Sequence, residues 1–195
     1  MILWGPAHVG RGFAGDVVTQ RVVRFGSQKE QVAYLRQVIE NYRANYAIRT
    51  RARDIVFRQR GCRPKDKRAQ ALALASWVQN NITYVEEKPE IFQTPTSTIA
   101  QGYGDCDDHV QVLGAFLESI GLDARLVALQ WADNDGGSSE KSEYFRHIFV
   151  QGCFPEKGRY VCLPLDTTLA RSVYDLTDPI ETCRRLGRKV TAFVG

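Results

Sequence analysis

The order of the residue periodicities in this 195-residue chain predicts an α+β fold. Apolar side chains recur every three or four residues in several segments between residues 28 and 121, the spacing of a buried helical face. Three stretches rich in β-branched and aromatic residues follow, separated by polar turns. Helices first and strands afterwards imply an antiparallel sheet with the helices packed on it. With 44% apolar and 25% charged side chains, the chain has a globular composition and the length for one core.

Each element carries its own signals. Residues 1–27 are rich in Gly and Val without a sustained period, and read as an extended N-terminal arm with a strand near residues 17–25. From Gln28 onward, Val32, Leu35, Val38, Ile39, Tyr42 and Tyr46 fall on one helical face, predicting a helix to about Ala47. RTRARDIVFRQRG reads as a second, basic helix stopped by Gly61, with Pro64 forbidding continuation. A third helix starts near Asp66, buries Ala71, Leu74, Val78 and Ile82, and ends around Asn80 and Asn81, before an extended Thr83-Tyr-Val85. KPEIFQTPTSTIAQGYG, with two prolines and many small polar residues, reads as a surface loop. Helical spacing returns with Val110, Leu113, Leu117 and Ile120, and Gly121 supplies the stop, so Cys106 stands in the first turn of a buried helix. Residues 124–131, 144–151 and 159–165 read as strands, separated by the loop ADNDGGSSEKSE and by a hairpin at CFPEKG. The division that results is an arm (1–27), a basic helical extension (28–65) and a core (66–195).

The formal net charge of +4 hides an asymmetry: 15 Lys and Arg against 5 Asp and Glu in residues 1–68, then 11 against 17 in residues 69–195. A basic front can seek nucleic acid or an acidic protein surface. No nucleic-acid-binding motif accompanies the charge, so a solvated helix face is the simpler reading and nucleic acid is not an expected partner. No apolar run approaches the roughly 20 residues of a membrane helix. The start, MILWGPAHVGRGFAGD, lacks the charged lead and apolar stretch of a signal peptide, so a cytoplasmic location is expected. The five cysteines, at 62, 106, 153, 162 and 183, are odd in number and include no CxxC pair. That pattern predicts neither a disulfide framework nor a zinc module.

Chemistry concentrates at GYGDCDDHV, residues 102–110, where a cysteine stands among aspartates directly after a glycine pair. A metal site built from Asp105, Cys106, Asp107, Asp108 and His109 would mix soft and hard ligands at consecutive helical positions, which cannot all face one ion. A plain helix start accounts for the acids, with Asp105 as N-cap and Asp107 and Asp108 in the first turn. The same helix start presents unpaired N–H groups and a partial positive charge that favour a thiolate, so a nucleophile is the third reading. A nucleophile needs a base, and the base an orienting group. Of the 3 histidines, His8 lies in the arm and His109, one turn past the cysteine, reads as a solvent-facing or capping residue. His147 sits in a strand, and the hairpin brings Asp166 of the next strand within a few residues of it across the ladder.

GYGDCDDHVQVLGAFLESIGLDARLVAL, then RHIFV, then YVCLPLDTT, resemble the core of the transglutaminase-like cysteine peptidase superfamily, whose papain-like triad runs Cys, His, Asp. ALALASWVQNNITYV and FQTPTSTI are similar to segments that precede the cysteine in small bacterial and bacteriophage members. The resemblance spans about residues 66–170 and leaves the N-terminal basic helices outside it. It implies a papain/transglutaminase-like core, with Cys106 as nucleophile, His147 as base and Asp166 as orienter. Members commonly follow the histidine with a pair such as Ala-Trp, where this chain has Ile-Phe. The oxyanion hole is expected from the Cys106 N–H with Gln93 or Gln101, Gln93 being favoured because FQTP is similar to the family's Gln-x-Pro. The activity implied is amide hydrolysis or transamidation on a protein or peptide substrate, without cofactor or metal. The resemblance to phage members, the arm and the basic helices also raise an alternative: a virion or prophage structural protein that keeps this fold for docking to other particle proteins.

Overall fold

The computed structural model describes residues 3–11, 17–58, 62–86, 91–131, 146–168, 172–174, 178–185 and 190–195. Strands β1 (Leu3–Arg11) and β2 (Val17–Arg24) come first, then helices α1 (Gln28–Tyr42), α2 (Tyr46–Arg58) and α3 (Lys67–Asn81). Next come β3 (Thr83–Tyr84), β4 (Ile91–Gln93), α4 (Pro95–Gln101), β5 (Tyr103–Gly104) and the long helix α5 (Cys106–Ser119). Strands β6 (Asp123–Trp131), β7 (His147–Glu156) and β8 (Arg159–Leu165), helix α6 (Pro179–Arg185) and strand β9 (Val190–Val194) follow.

Helix α5 stands at the centre of the first four helices. Every residue from Asp107 to Leu117 is buried, so this helix has no solvent face over that length. Helices α1 to α4 pack on it, as do β6 and β7. Val32, Leu35 and Ile39 of α1 and Ile48 and Ala52 of α2 share one apolar cluster with Val110, Leu113, Phe116 and Leu117. The approach of α1 is close enough to require Gly114: a Cβ there would lie 2.5 Å from Cδ1 of the fully buried Ile39. Arg36 adds a polar tie, pairing with the carboxylate of Glu118 and donating to the Ala124 carbonyl at 2.7 Å.

The main sheet has the antiparallel order β8-β7-β6-β9. Strand β7 is longer than its sequence signal: Cys153 and Phe154, expected in a turn, are buried and paired to β8 as far as Glu156 opposite Arg159. The turn shrinks to Lys157 and Gly158, with φ of 50° and 77°, the left-handed pair that a two-residue hairpin needs. The predicted start of this strand, residues 144–145, lies outside the described residues. Strand β9, which the sequence reading leaves unassigned, pairs with β6. Helix α6, also unassigned, brings Cys183 against Val127, Leu129 and Phe149. The strand register also sets Cys153 opposite Cys162, and the two form a disulfide with a Cα–Cα separation of 4.1 Å. The expectation of no disulfide is thus corrected; cysteines nine residues apart in sequence meet because a tight hairpin stands between them. Cys62, Cys106 and Cys183 are not disulfide-bonded.

Two other expectations change. The first helix stops at Tyr42, not Ala47, because the Asn45 side chain accepts from the N–H groups of Ala47 (2.9 Å) and Ile48 (3.3 Å) and starts α2 afresh. Tyr46, placed on the buried face by the longer helix, is therefore 83% exposed. The predicted surface loop holds β4, α4 and β5 instead. Thr94 caps α4, Pro95 takes the first helical position, where its missing N–H has no consequence, and Gly102 ends the helix at φ 73°. Strand β4 joins the β1-β2 pair, giving the order β1-β2-β4, and β3 runs parallel to β5. The third helix matches its prediction: Asp66 caps it, and Ala71, Leu74, Val78 and Ile82 are all buried. No helix among the described residues is long and apolar enough to cross a membrane.

Candidate active site

Cys106 is the first residue of α5, half-buried, with Asp105 as the N-cap before it. Asp105 Oδ1 accepts from the N–H groups of Asp107 (2.9 Å) and Asp108 (3.3 Å), as a helix start requires. The other two aspartates do more than favour the first turn. Asp107 Oδ1 lies 3.8 Å from the Cys106 sulfur, and its Oδ2 accepts from Gln31 Nε2 of α1 at 3.1 Å. Asp108, fully buried, accepts the main-chain N–H of Gln93 at 3.0 Å and so fastens β4 to the start of α5. Gly104 makes room for that side chain: a Cβ at this position would lie 2.6 Å from Asp108 Cβ and 2.7 Å from its Oδ2.

His147 opens β7, and Asp166 lies just beyond β8. Their side chains meet at 2.8 Å, Nε2 to Oδ2, with both residues only 4% exposed. The remaining Asp166 oxygen accepts from the N–H (2.9 Å) and hydroxyl (3.2 Å) of Thr168. The imidazole of His147 stacks on Phe149 at 6.4 Å, and its Nδ1 makes no hydrogen bond to the described residues. A ring bonded to a carboxylate through one nitrogen and open at the other is the arrangement a general base needs.

His8 lies in β1 opposite Gln20. His109, expected at the surface or as a cap, is instead 1% exposed, with Nδ1 3.0 Å from the Thr167 hydroxyl and its ring 6.4 Å from that of Tyr84. The helix that carries it is enclosed on all sides, which the three-residue spacing from Cys106 could not reveal. Burial lowers the His109 pKa to about 4, against the opposing pull of the Asp166 carboxylate. An unfolded chain takes up a proton here below roughly pH 6.5, whereas the folded protein does so only near 4. The unfolded state therefore binds more protons between these values. The resulting stability is present above about pH 6.5 and is lost as pH falls toward 4, by on the order of 3 kcal/mol. We expect the melting temperature of His109→Phe to fall less than that of the parent between pH 6.5 and 4.5; equal falls in thermal scans would refute the linkage.

The two oxyanion candidates are partners of one another. Gln101 Nε2 donates to Gln93 Oε1 at 2.5 Å, and Gln93 Nε2 points to the Tyr103 carbonyl at 3.4 Å. Gln93 is buried and Gln101 half-buried. Two further residues at the site escaped the sequence reading. The Tyr84 phenol is pushed up to about 12, by burial first and then by Cys106, Asp105, Glu86 and Asp107, so it stays protonated, a hydrogen-bond donor, at neutral pH. Gln31 is buried beside Val32 on the apolar face of α1. A polar residue four before Leu35, on the same stripe, was the available signal. Ligand atoms of Asp105, Cys106 and Asp107 do fall within 4.8 Å of one another. Both carboxylates are already engaged, by helix N–H groups and by Gln31, while Asp108 and His109 turn to Gln93 and Thr167; this donor set fits a helix start better than a metal.

The family model of the transglutaminase-like superfamily matches residues 53–163, more than half of the chain, and the protein belongs to that superfamily. Its α+β architecture, with the cysteine helix against an antiparallel sheet, is the papain/transglutaminase-like one. No curated protein matches the chain. Among solved structures, it is similar to a candidate cysteine protease from Cytophaga hutchinsonii, with 10% identity and a TM-score of 0.47, covering 100% of this chain and 75% of that one. It is also similar to a candidate protease from Parabacteroides distasonis, with 14% identity and a TM-score of 0.46 over 73% of this chain. The chain spans only 27% of that second protein's length.

Proposed function

We propose that the protein is a thiol-dependent acyl-transfer enzyme acting on amide bonds of a protein or peptide, with Cys106, His147 and Asp166 as its triad. The observation that carries this reading is the buried 2.8 Å bond between His147 and Asp166, which leaves Nδ1 of the ring without a hydrogen bond to the described residues. Membership of the superfamily and the half-buried thiol at a helix N-terminus support it.

In the first half-reaction the Cys106 S–H proton passes to His147 Nδ1 and the thiolate attacks the amide carbonyl carbon. The Cys106 N–H and the start of α5 stabilise the oxyanion, with the Gln93–Gln101 pair as the second donor source. The C–N bond breaks, the amine leaves with the proton from His147, and a thioester remains on Cys106. Water or an amine then attacks that carbonyl, giving its proton to His147, and the C–S bond breaks; the returning proton restores the thiol. Asp166 stays ionised and stabilises the imidazolium.

An activated acyl donor such as a p-nitrophenyl ester tests the reading. Intact-mass spectrometry after acid quenching should find one acyl group on the protein, and peptide mapping should locate it on Cys106. Acylation spread over Cys62 and lysines, unchanged by Cys106→Ala, would dismiss it.

A further inference from the structure

We propose that His109 is a positioning residue for this site: its hydrogen bond to Thr167 ties the helix carrying the thiol to the strand end carrying the acid. The inference rests on the acyl-transfer reading above. His109 stands one turn after Cys106 on α5, and Thr167 directly follows Asp166. The two side chains meet at 3.0 Å across 58 residues of sequence, both buried. Three consecutive residues after β8 thus hold three different partners: Asp166 takes His147, Thr167 takes His109, and Thr168 takes the second oxygen of Asp166. If that segment shifts relative to α5, the imidazole moves relative to the sulfur.

The unused half of His109 argues that the ring is kept for this bond. Its Nε2 is buried without a hydrogen-bond partner among the described residues. A buried polar atom left unsatisfied is unfavourable, and a Phe or Leu would fill the same space without it. A neutral ring has one proton. Carried on Nδ1, it lies in the bond to Thr167 Oγ1 and leaves only a lone pair on Nε2; carried on Nε2, it would be an orphaned donor. His109 therefore donates to Thr167, and burial outweighs the opposing pull of the Asp166 carboxylate, which with the Tyr84 phenol faces the ring, so the ring stays neutral and does not serve as a base.

The test is the rate of Cys106 alkylation by iodoacetamide from about pH 5 to pH 9, read by peptide mass spectrometry with Cys62 as internal reference. In His109→Phe and in Thr167→Val, the midpoint of the pH profile should rise by about one unit, since the imidazole is then less well placed to stabilise the thiolate. His109→Asn should stay within about 0.3 unit of the parent, because its amide nitrogen takes the place of Nδ1 and keeps the bond. His109→Gln, whose amide takes the place of Nε2, should behave like the Phe variant. The double variant should shift no further than either single one, as expected when two changes break the same bond. Should His109→Phe fold poorly, the hydroxyl-only change Thr167→Val carries the test. Parental midpoints in His109→Phe and Thr167→Val would overturn the proposal, as would an Asn variant as shifted as the Phe one. His147→Ala, run alongside, separates the two readings. If its profile matches the parent, the triad itself fails; if it shifts while His109→Phe and Thr167→Val do not, only the positioning role fails.

Discussion

We expect replacement of His147 by Ala to slow the alkylation of Cys106 at pH 6 by about tenfold, with Cys62 reacting as before. The magnitude follows from two opposing effects. A thiol of ordinary pKa, near 8.5, is only about 0.3% ionised at pH 6, so an imidazolium partner that keeps it ionised raises the thiolate population roughly three-hundredfold. The less basic thiolate is also the poorer nucleophile, by a factor of about 30 for a pKa about 3 units lower. The net gain, about tenfold, is what the Ala variant gives up. For acyl transfer the loss is larger, on the order of 10²–10⁴ beyond this, because the leaving amine also loses its proton donor. Asp166→Asn should also slow the alkylation with the fold intact: the Thr168 N–H holds the amide oxygen, so the amide NH2 faces Nε2 and donates to it, which favours the neutral ring with its proton on Nδ1, the wrong tautomer for a base. An His147→Ala variant with the parental rate ratio of Cys106 to Cys62 would remove the base from the mechanism.

A second large effect is expected at the turn that leads into the cysteine helix. Gly104→Ala lowers the melting temperature by about 10 °C. The new methyl would have to share space with the Cβ and Oδ2 of Asp108, which is fully buried and accepts from the Gln93 N–H. Overpacking of this kind costs about 1–3 kcal/mol, and displacing the carboxylate from its buried donor costs about as much again. For a chain of this size each kcal/mol corresponds to about 2–4 °C. Gly121→Ala is the comparison. Its φ of 77° strains an alanine, but no atom lies within 4 Å of the added methyl, so its loss is the smaller. Equal losses in calorimetry would show that backbone strain, and not the crowding of Asp108, governs this glycine.

What could be read from the chain and what could not divide along a physical line. The stripe Ala71, Leu74, Val78 and Ile82 and the start of α5 at Asp105 were legible because helical period and capping are local properties. His147 and Asp166 were legible because a hairpin converts a short sequence distance into a cross-strand distance. The Cys153–Cys162 pair obeys the same hairpin logic, but the strand signal in the sequence ends before Cys153, which puts one cysteine in a turn and the other unpaired in a strand. The contacts of His109, Gln31 and Asp108 were not legible. Each depends on which element encloses α5, and a sequence period gives the direction of a side chain without naming what it meets. Pro95 misled for a related reason, since proline serves a loop and a first helical turn equally well.

The enclosure of α5 also orders the events of synthesis. Helices α1 and α2 leave the ribosome before the segment they pack on, and the Gln31–Asp107 bond joins residues 76 apart. Until residues 106–119 emerge, Val32, Leu35, Ile39 and Ile48 have no central helix to cover them, and contacts of such long sequence separation form late. The nascent chain is thus most exposed to aggregation in the interval before its cysteine helix is made, and the site reaches its final form only when the sheet strands after it have closed over that helix.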